Sequence, residues 1–299
     1  MARILLSLFP QLRKIYRSQE TMSKPKGQKK GGRRMKKLLQ TGGALLMGLA
    51  GLTLTTETAL ANDKPSADAT VGLYSKYVWR GFELSKDSLV IQPSLTVGYK
   101  GFSTNFWSNV DTDLAPALRP ASSDDAFNMD EVDLTLAYNY TLDKVDLTGG
   151  YIYYDLDGIP DSQEVFLSAG FDTILSPTLT VYREIAHAPG WYVSLGLSHS
   201  IPLKDKISLD LGASVSYWSF DNADDAPDPS NPSEPFSNFH DGLLSASVTF
   251  PINELISITP ELYYSFPLSS DAADQIKAAS VSGNDDNFVY GGVSASLSF

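Results

Sequence analysis

In the stretch Asn287–Phe299, NFVYGGVSASLSF, every second residue from Val289 is apolar or small. Val289, Gly291, Val293, Ala295, Leu297 and Phe299 are apolar or small, and Tyr290, Gly292, Ser294, Ser296 and Ser298 fall between them. A period of two sustained over about ten residues is that of a β-strand with one apolar and one polar face. Two kinds of fold use such a strand. A soluble sandwich buries the apolar face against a second sheet, whereas a transmembrane barrel turns it to lipid and keeps the serines in the lumen.

The same alternation recurs upstream. Ala69–Trp79 sets Val71, Leu73, Tyr77 and Trp79 against Tyr74, Lys76 and Arg80. Leu89–Tyr99 sets Ile91, Pro93, Leu95, Val97 and Tyr99 against Gln92, Ser94, Thr96 and Gly98. Phe102–Val110, Val132–Tyr140, Val145–Tyr154, Glu164–Phe171, Thr178–Ala186, Trp191–Ile201, Ile207–Phe220, Leu243–Phe250 and Ile256–Phe266 follow, and the final stretch makes twelve. No sustained i, i+3, i+4, i+7 apolar stripe interrupts them, so helix is not expected here.

The connections sort by parity. Gly81–Ser88, Asp111–Asn128, Asp155–Gln163, His187–Gly190, Asp221–Phe239 and Pro267–Asp286 would share one side. The tight turns Lys100-Gly101, Leu142–Lys144, Asp172–Pro177, Pro202–Lys206 and Pro251–Leu255 would share the other. A sandwich has no reason to sort its loops this way. An outer-membrane barrel does, with long loops outside and short turns and both termini in the periplasm. The expected fold is therefore all-β, a transmembrane antiparallel up-and-down barrel of about twelve strands. Aromatic residues at strand ends fit two interfacial girdles. Trp79, Phe106, Tyr153, Tyr154, Trp191, Tyr217, Trp218, Tyr264, Phe266 and Phe288 would form the outer one. Tyr99, Phe102, Tyr138, Tyr140, Phe171, Phe250 and Phe299 would form the inner one.

Charge distribution agrees with export. The first 61 residues hold 12 of the 23 Lys+Arg and only 2 of the 35 Asp+Glu. Met35-Lys36-Lys37, the apolar run Leu38–Leu54 and Ala59-Leu60-Ala61 have the order of a signal peptide and its cleavage site. Residues 1–34 then read as an over-called extension, 35–61 as the signal peptide and 62–299 as the barrel. Thr53–Thr58 leaves the apolar run short of the ~20 residues that a spanning helix needs. Subtracting the leader leaves 11 basic and 33 acidic side chains, a net charge of −22. Such a chain is not expected to bind nucleic acid. It contains no cysteine, so a closed sheet or a large core must stabilise it without disulfides.

No nucleophile–base pair or carboxylate–His constellation stands out, so no catalytic residue, cofactor or metal ligand is assigned and an enzyme is not expected. His187 and His240 belong to loop-proximal segments, and His199 falls near an inner turn on an outward position. The acidic groups Asp111/Asp113/Asp124/Asp125, Asp155/Asp157/Asp161, Asp221/Asp224/Asp225/Asp228 and Asp285/Asp286 all fall on the long-loop side. They read as a solvated acidic rim that favours cations over anions, and that divalent ions could bridge to lipopolysaccharide head groups. By alternation Lys76, Arg80, Asp133, Asp146, Glu184, Asp210 and Glu261 face the lumen and are the candidate pore-lining charges. A base on the lipid face at mid-depth would cost ~2–4 kcal/mol. Lys76 and Arg80 against Asp133, Asp146, Asp210 and Glu261 are the expected poles of a transverse field. Arg183 breaks the pattern by pointing outward, where it could snorkel or mark a bulge.

The segment Tyr74-Ser75-Lys76-Tyr77-Val78-Trp79-Arg80-Gly81 resembles the opening motif of the TorF-like porin family, an outer-membrane family of the Gcw_chp type. That family's S-x-Y-x-x-R-G is followed by a Gln-Pro strand and a W-x-S-N-V-D segment. Gln92-Pro93 and Trp107-Ser108-Asn109-Val110-Asp111 correspond here, without the residue after the tryptophan. The resemblance covers about the first 45 residues after the leader and implies a barrel and a channel. The function expected is passive diffusion of small hydrophilic solutes, cations or neutral molecules preferred, across the bacterial outer membrane. A non-conducting scaffolding barrel that docks a partner protein is the alternative. Outer-membrane lipid and lipopolysaccharide are expected neighbours. The barrel assembly machinery is an expected partner, with Phe299 as the assembly signal.

Overall fold

The computed structural model describes residues 64–85, 88–113, 127–204, 206–281, 283 and 285–299. The leader reading and Asp124 and Asp125 lie outside these residues. In chain order the strands are β1 (Ser66–Tyr74), the short pair β2 (Val78–Trp79) and β3 (Phe82–Glu83), then β4 (Val90–Tyr99) and β5 (Phe102–Asp111). β6 (Asn128–Leu142), β7 (Val145–Leu156), β8 (Ser162–Phe171), β9 (Thr178–Glu184) and β10 (Gly190–Pro202) follow. β11 (Ser208–Phe220), β12 (Ser237–Pro251), β13 (Ile256–Pro267), helix α1 (Ser270–Ala279) and β14 (Phe288–Ser298) complete the chain.

Twelve of these strands close into one antiparallel barrel, each bonded to the next in sequence, while β2 and β3 pair only with each other. Closure leaves no sheet edge and satisfies the strands' backbone groups internally, as hydrocarbon requires. The seam joins β1 to β14 through Asp68↔Ser298 to Tyr74↔Gly292. The backbone of Phe299 extends it, exchanging hydrogen bonds with Ala67 at 2.7 and 2.9 Å. In the sequence, Ala69–Trp79 reads as one continuous wall strand. Instead β1 starts earlier and leaves the wall after Tyr74.

Outside the barrel, Leu95, Val97, Leu134, Leu136, Leu167, Leu195, Leu197, Leu244, Leu262 and Val293 stand exposed. Each alternates with a lumenal Ser, Thr, Gly, Asn, Tyr or carboxylate. The inner aromatic girdle is present, with Tyr99, Phe102, Tyr138, Tyr140, Phe171, Phe250 and Phe299 all exposed. The outer girdle is only half so. Phe106, Trp191, Tyr217 and Tyr264 face outward, but Trp79, Tyr154, Trp218 and Phe288 are buried inside the barrel.

Arg183 does point outward, and the β8–β9–β10 register runs unbroken past it. No bulge is involved; its guanidinium grips Asp221 at 2.8 and 2.5 Å and lies over Trp191 at 5.0 Å. Register shifts occur instead at Asn109/Val110 between β5 and β6 and at Val215/Tyr217 between β11 and β12. The first falls in the Trp107–Asp111 segment, where the family pattern carries its extra residue.

Helix α1 was not expected. Its signals are local: Ser269 caps Ala272 N–H at 3.1 Å, Asp271 sits in the first turn and Lys277 in the last. Ala272, Ile276 and Ala279 recur at i, i+4 and i+7 and make the buried face. One apolar turn and a half, mostly alanine, is too short a stripe to register in a window dominated by loop residues.

Candidate functional site

The hydrophobic core of this chain lies inside the barrel, in its outer half. After Tyr74 the chain holds β14 once more, Ser75 N–H to Gly291 O at 2.9 Å, and then turns into the lumen. Tyr77 to Ser85 form a hairpin closed by Leu84 N–H to Tyr77 O at 2.8 Å and Tyr77 N–H to Ser85 Oγ at 2.7 Å. Its tip is the two-residue turn Arg80-Gly81, with φ of 44° and 86°. Positive φ at both positions is the geometry of a hairpin turn that matches strand twist, and it favours glycine second. A Cβ on Gly81 would also lie 2.8 Å from Ile276 Cδ1 of α1 and 3.1 Å from Asp241 Cβ. The expected outward faces of Tyr77 and Trp79 are therefore overturned: both are lumenal and about 1 % exposed.

Arg80 is the centre of the plug. Its Nη1 and Nη2 donate to the two oxygens of Glu164 at 2.8 and 2.9 Å, a bidentate pair in which both partners are buried. The guanidinium carbon stands 4.0 Å from the Tyr192 ring centre, 4.7 Å from Trp79, 5.0 Å from Tyr182 and 5.1 Å from Trp218. Tyr154 Oη also donates to Glu164, at 2.8 Å. Beside this pair is a cavity of about 10 Å³, room for one water-sized group, lined by Trp79, Arg80, Ser162, Glu164, Glu184, Ala188 and Trp218.

Two further pieces complete the plug. Helix α1 sets Ile276 against the Gly81 turn, and Ser280 just beyond it donates to Glu83 at 2.9 Å. The fifth long loop folds back through Phe236 N–H to Ala226 O at 2.8 Å and delivers Phe236 to the ring of His240. His240 Nε2 meets the Arg80 carbonyl at 3.0 Å, and its ring packs on Phe82 and Trp218. His240 is thus a buried structural contact of the hairpin. His187 is an exposed loop residue, and His199 holds the Ile174 carbonyl at an inner turn, 2.7 Å away.

The inner half of the lumen differs. Ser94, Thr96, Ser194, Gly196, Ser245, Ser247, Thr249, Ser257 and Thr259 point away from lipid yet remain partly accessible to solvent. They bond sideways along the wall, as Asn105 does to Ser94 and Thr96 at 2.8 Å each and Ser168 to Thr180 at 2.9 Å. Short side chains on a twelve-stranded wall leave the centre to water. The inner half is thus lined by short polar side chains that remain partly accessible to solvent.

The expected inward charges divide among these levels. Lys76 and Arg80 are in the plug, but their partners are Glu83 and Glu164 rather than the anticipated acids. Asp146 and Asp210 sit at the inner mouth, holding Thr141 at 2.5 Å and Ser208 at 2.8 Å. Of the expected acidic poles, Asp146 and Asp210 therefore lie at a different level of the lumen from Lys76 and Arg80. Asp133 is buried in the outer half, and Glu261 accepts from Tyr74, Tyr263 and Ser294. Glu184 caps a turn, taking Ala186, His187 and Ala188 N–H at 2.9, 3.0 and 2.9 Å. Sequence reasoning missed Glu131, which accepts from Tyr77, and Asp241, which accepts from Tyr192 and Ser216 at 2.9 and 2.5 Å. It also missed Glu164. Each opens or ends a strand next to a long loop, where alternation carries least information.

On the rim, the Arg183 guanidinium holds the Asp221 carboxyl below its usual range, Lys277 does the same for Asp286, and hydrogen bonds from Ser230 and Asn231 lower Asp228. Those groups stay ionised well into acid, so the rim remains acidic. Among the described residues no three His, Asp or Glu side chains converge as a metal set would.

An apolar exterior, aromatic residues at its ends, a polar interior and full closure are what a bilayer demands of a sheet. The chain is a bacterial outer-membrane barrel. No family model matches it, and no curated protein does. Among solved structures it is similar to the KdgM porin, at 10% identity over 78% of this chain and 99% of that one, with a TM-score of 0.46. It is similar to the NanC porin at 9% identity over 77% and 98%, with a TM-score of 0.49. An outer membrane channel from Pseudomonas putida F1 matches at 10% identity over 79% and 95%, with a TM-score of 0.44. These likenesses are of barrel architecture.

Proposed function

We propose that this barrel is a porin-like channel, not an enzyme, for passive diffusion of small hydrophilic solutes, and that the inserted hairpin sets its constriction. The observation that carries the reading is the two-level lumen. A solvated vestibule lined by Ser, Thr and Gly leads up to a constriction held by one excursion of the chain, one helix and one loop. The motif Tyr74–Gly81, on which the resemblance to the TorF-like porins rests, builds that constriction. Selectivity favours cations and neutral molecules. The two bases of the constriction are each neutralised by a carboxylate, whereas Asp68, Asp146 and Asp210 at the inner mouth face no base in the contacts described. An acidic funnel at both mouths raises local cation concentration and repels anions.

Planar-bilayer recording of the purified barrel in a salt gradient tests this. Small single-channel currents are expected, with a reversal potential on the cation side. A reversal potential on the anion side would overturn the selectivity. Silence from folded wild type and from a plug-weakened variant alike would overturn the channel. That outcome favours the second reading, a non-conducting barrel docking a partner, which the tight packing of Tyr77, Trp79, Phe236 and His240 supports.

Assembly is the other proposal. The Phe299 ring is exposed at the inner girdle, beside the seam, where the barrel assembly machinery could read it. Phe299→Ala keeps the backbone bonds to Ala67 and removes only the ring. Its outer-membrane level in cells is expected to fall several-fold while the purified chain refolds normally in detergent. Equal loss in both assays would make the ring structural, and no loss in either would remove its role. The exposed rim acids, Asp155, Asp157, Asp221 and Asp224 among them, suit divalent-ion bridges to lipopolysaccharide.

A further inference from the structure

We propose that the wall of the lumen carries a binding site for guanidinium-bearing cations, which Arg80 occupies from within the same chain. The site belongs to the barrel rather than to the hairpin. Glu164 on β8, Tyr182 on β9, Tyr192 on β10 and Trp218 on β11 come from four consecutive strands of the closed wall, none of them part of the hairpin. Tyr154 on β7 donates to the carboxylate oxygen Oε2 at 2.8 Å and helps fix its orientation. The rings are locked to one another: Tyr182 to Phe166 and Tyr192 at 5.6 and 6.0 Å, and Tyr192 to Trp218 at 5.2 Å. The result is a carboxylate fork at the mouth of a three-ring box. That arrangement selects a planar cation which can bond both oxygens and lay its face on rings. A compact ammonium would satisfy one oxygen and lose the stacking.

The hairpin fills this site without exhausting it. Arg80 presents two of its nitrogens to Glu164, and its Nε finds no acceptor among the described residues. The residue also sits at positive φ, a conformation that a long L side chain reaches only at a cost. A free guanidinium solute has neither restriction. It competes with Arg80 for Glu164, so binding and withdrawal of the hairpin tip are coupled and the solute favours the open lumen. The substrate class this implies, small guanidinium compounds, rests on the channel reading above only for the route to the site. Occupancy itself can be tested without any current.

The experiment is chemical rescue with ethylguanidinium as the probe and ethylammonium as its control. Arg80→Ala in detergent loses heat resistance of its folded gel band. Addition of about ten millimolar ethylguanidinium is expected to restore part of that loss and to shift the tryptophan emission, with ethylammonium at least several-fold weaker. Arg80→Ala/Glu164→Gln is expected to show neither response. A folded Arg80→Ala barrel that ignores ethylguanidinium, or that responds equally once Glu164 is changed, would overturn the site. Should Arg80→Ala fail to fold, refolding yield with and without the probe becomes the readout, and Arg80→Lys, which keeps the charge, provides a second background. An unchanged yield in the first and no emission shift in the second would overturn it equally. Rescue without conduction would leave the site standing and remove the channel; conduction without rescue would do the reverse.

Discussion

Arg80→Ala is expected to open the outer half of the lumen and to destabilise the barrel in the same step. The substitution removes both hydrogen bonds to Glu164 and four cation–ring contacts, and it leaves a carboxylate buried with Tyr154 as its remaining donor. Stranding one member of a buried pair costs ~3–5 kcal/mol. The contacts of the guanidinium with its rings add ~1–2 kcal/mol in a desolvated setting. The hairpin tip keeps His240 on the Arg80 carbonyl and its contact with α1, but Trp79 loses the guanidinium 4.7 Å from its ring and with it part of its anchorage. Single-channel conductance is expected to rise several-fold over wild type, and the temperature at which the folded band unfolds is expected to fall by roughly 10 °C. Glu164→Gln, which preserves volume, separates charge from packing and should lower the same temperature by a comparable amount. The double change Arg80→Ala/Glu164→Ala should cost less than the two single changes together, because each single one already breaks the shared interaction. A folded Arg80→Ala barrel with wild-type conductance would show that the hairpin does not limit passage.

Gly292→Val is expected to prevent closure altogether. Gly292 pairs with Tyr74 across the seam, and a Cβ there would lie 2.0 Å from the Leu73 carbonyl oxygen and 2.5 Å from Tyr74 Cδ1. Neither neighbour can give way cheaply. The carbonyl belongs to the backbone of the adjacent strand, and the Tyr74 ring is held by its hydroxyl on Glu261 at 3.1 Å. Separating the strands by the ångström or more required would break several seam hydrogen bonds, and an open edge in hydrocarbon costs several kcal/mol for each unsatisfied group. The folded, heat-modifiable form should be absent after detergent refolding. Ser294→Ala, two residues along the same strand, loses a single hydrogen bond to Glu261 and should cost only ~1 kcal/mol. If Gly292→Val folded like wild type, the close approach of β1 and β14 would not be what closes this barrel.

The wall of the barrel was legible because its physics is local. Leu134, Leu136, Tyr138 and Tyr140 face lipid on β6 as their alternation requires, and so do Leu195 and Leu197 on β10. Lipid outside and water inside impose a period of two on every strand, and that period survives in any single sequence. Arg183 was legible for the same reason, and Asp221 explains why it is tolerated there. The plug was not legible. Lys76 to Trp79 continue the period of β1, so Tyr77 and Trp79 read as lipid-facing, yet the chain has already left the wall. An aromatic side chain suits a lipid face and a packed lumen equally, so burial could not be told from exposure. Arg80-Gly81 was the available signal, since a residue followed by glycine between Trp79 and Phe82 suits a two-residue hairpin turn.

From the sequence alone come the export signal as an expectation, the twelve-strand wall, the parity of the loops and the sign of the charge. All of these follow from nearest neighbours and a fixed period. Only the tertiary structure decided what fills the wall. The partners of Arg80 lie on strands eighty-four and more residues away, at Glu164, Tyr182, Tyr192 and Trp218. Their meeting is set by barrel circumference and by the reach of one inserted hairpin. Neither quantity leaves a trace in local alternation, so the constriction, and with it the site proposed for guanidinium, appears only once the sheet has closed.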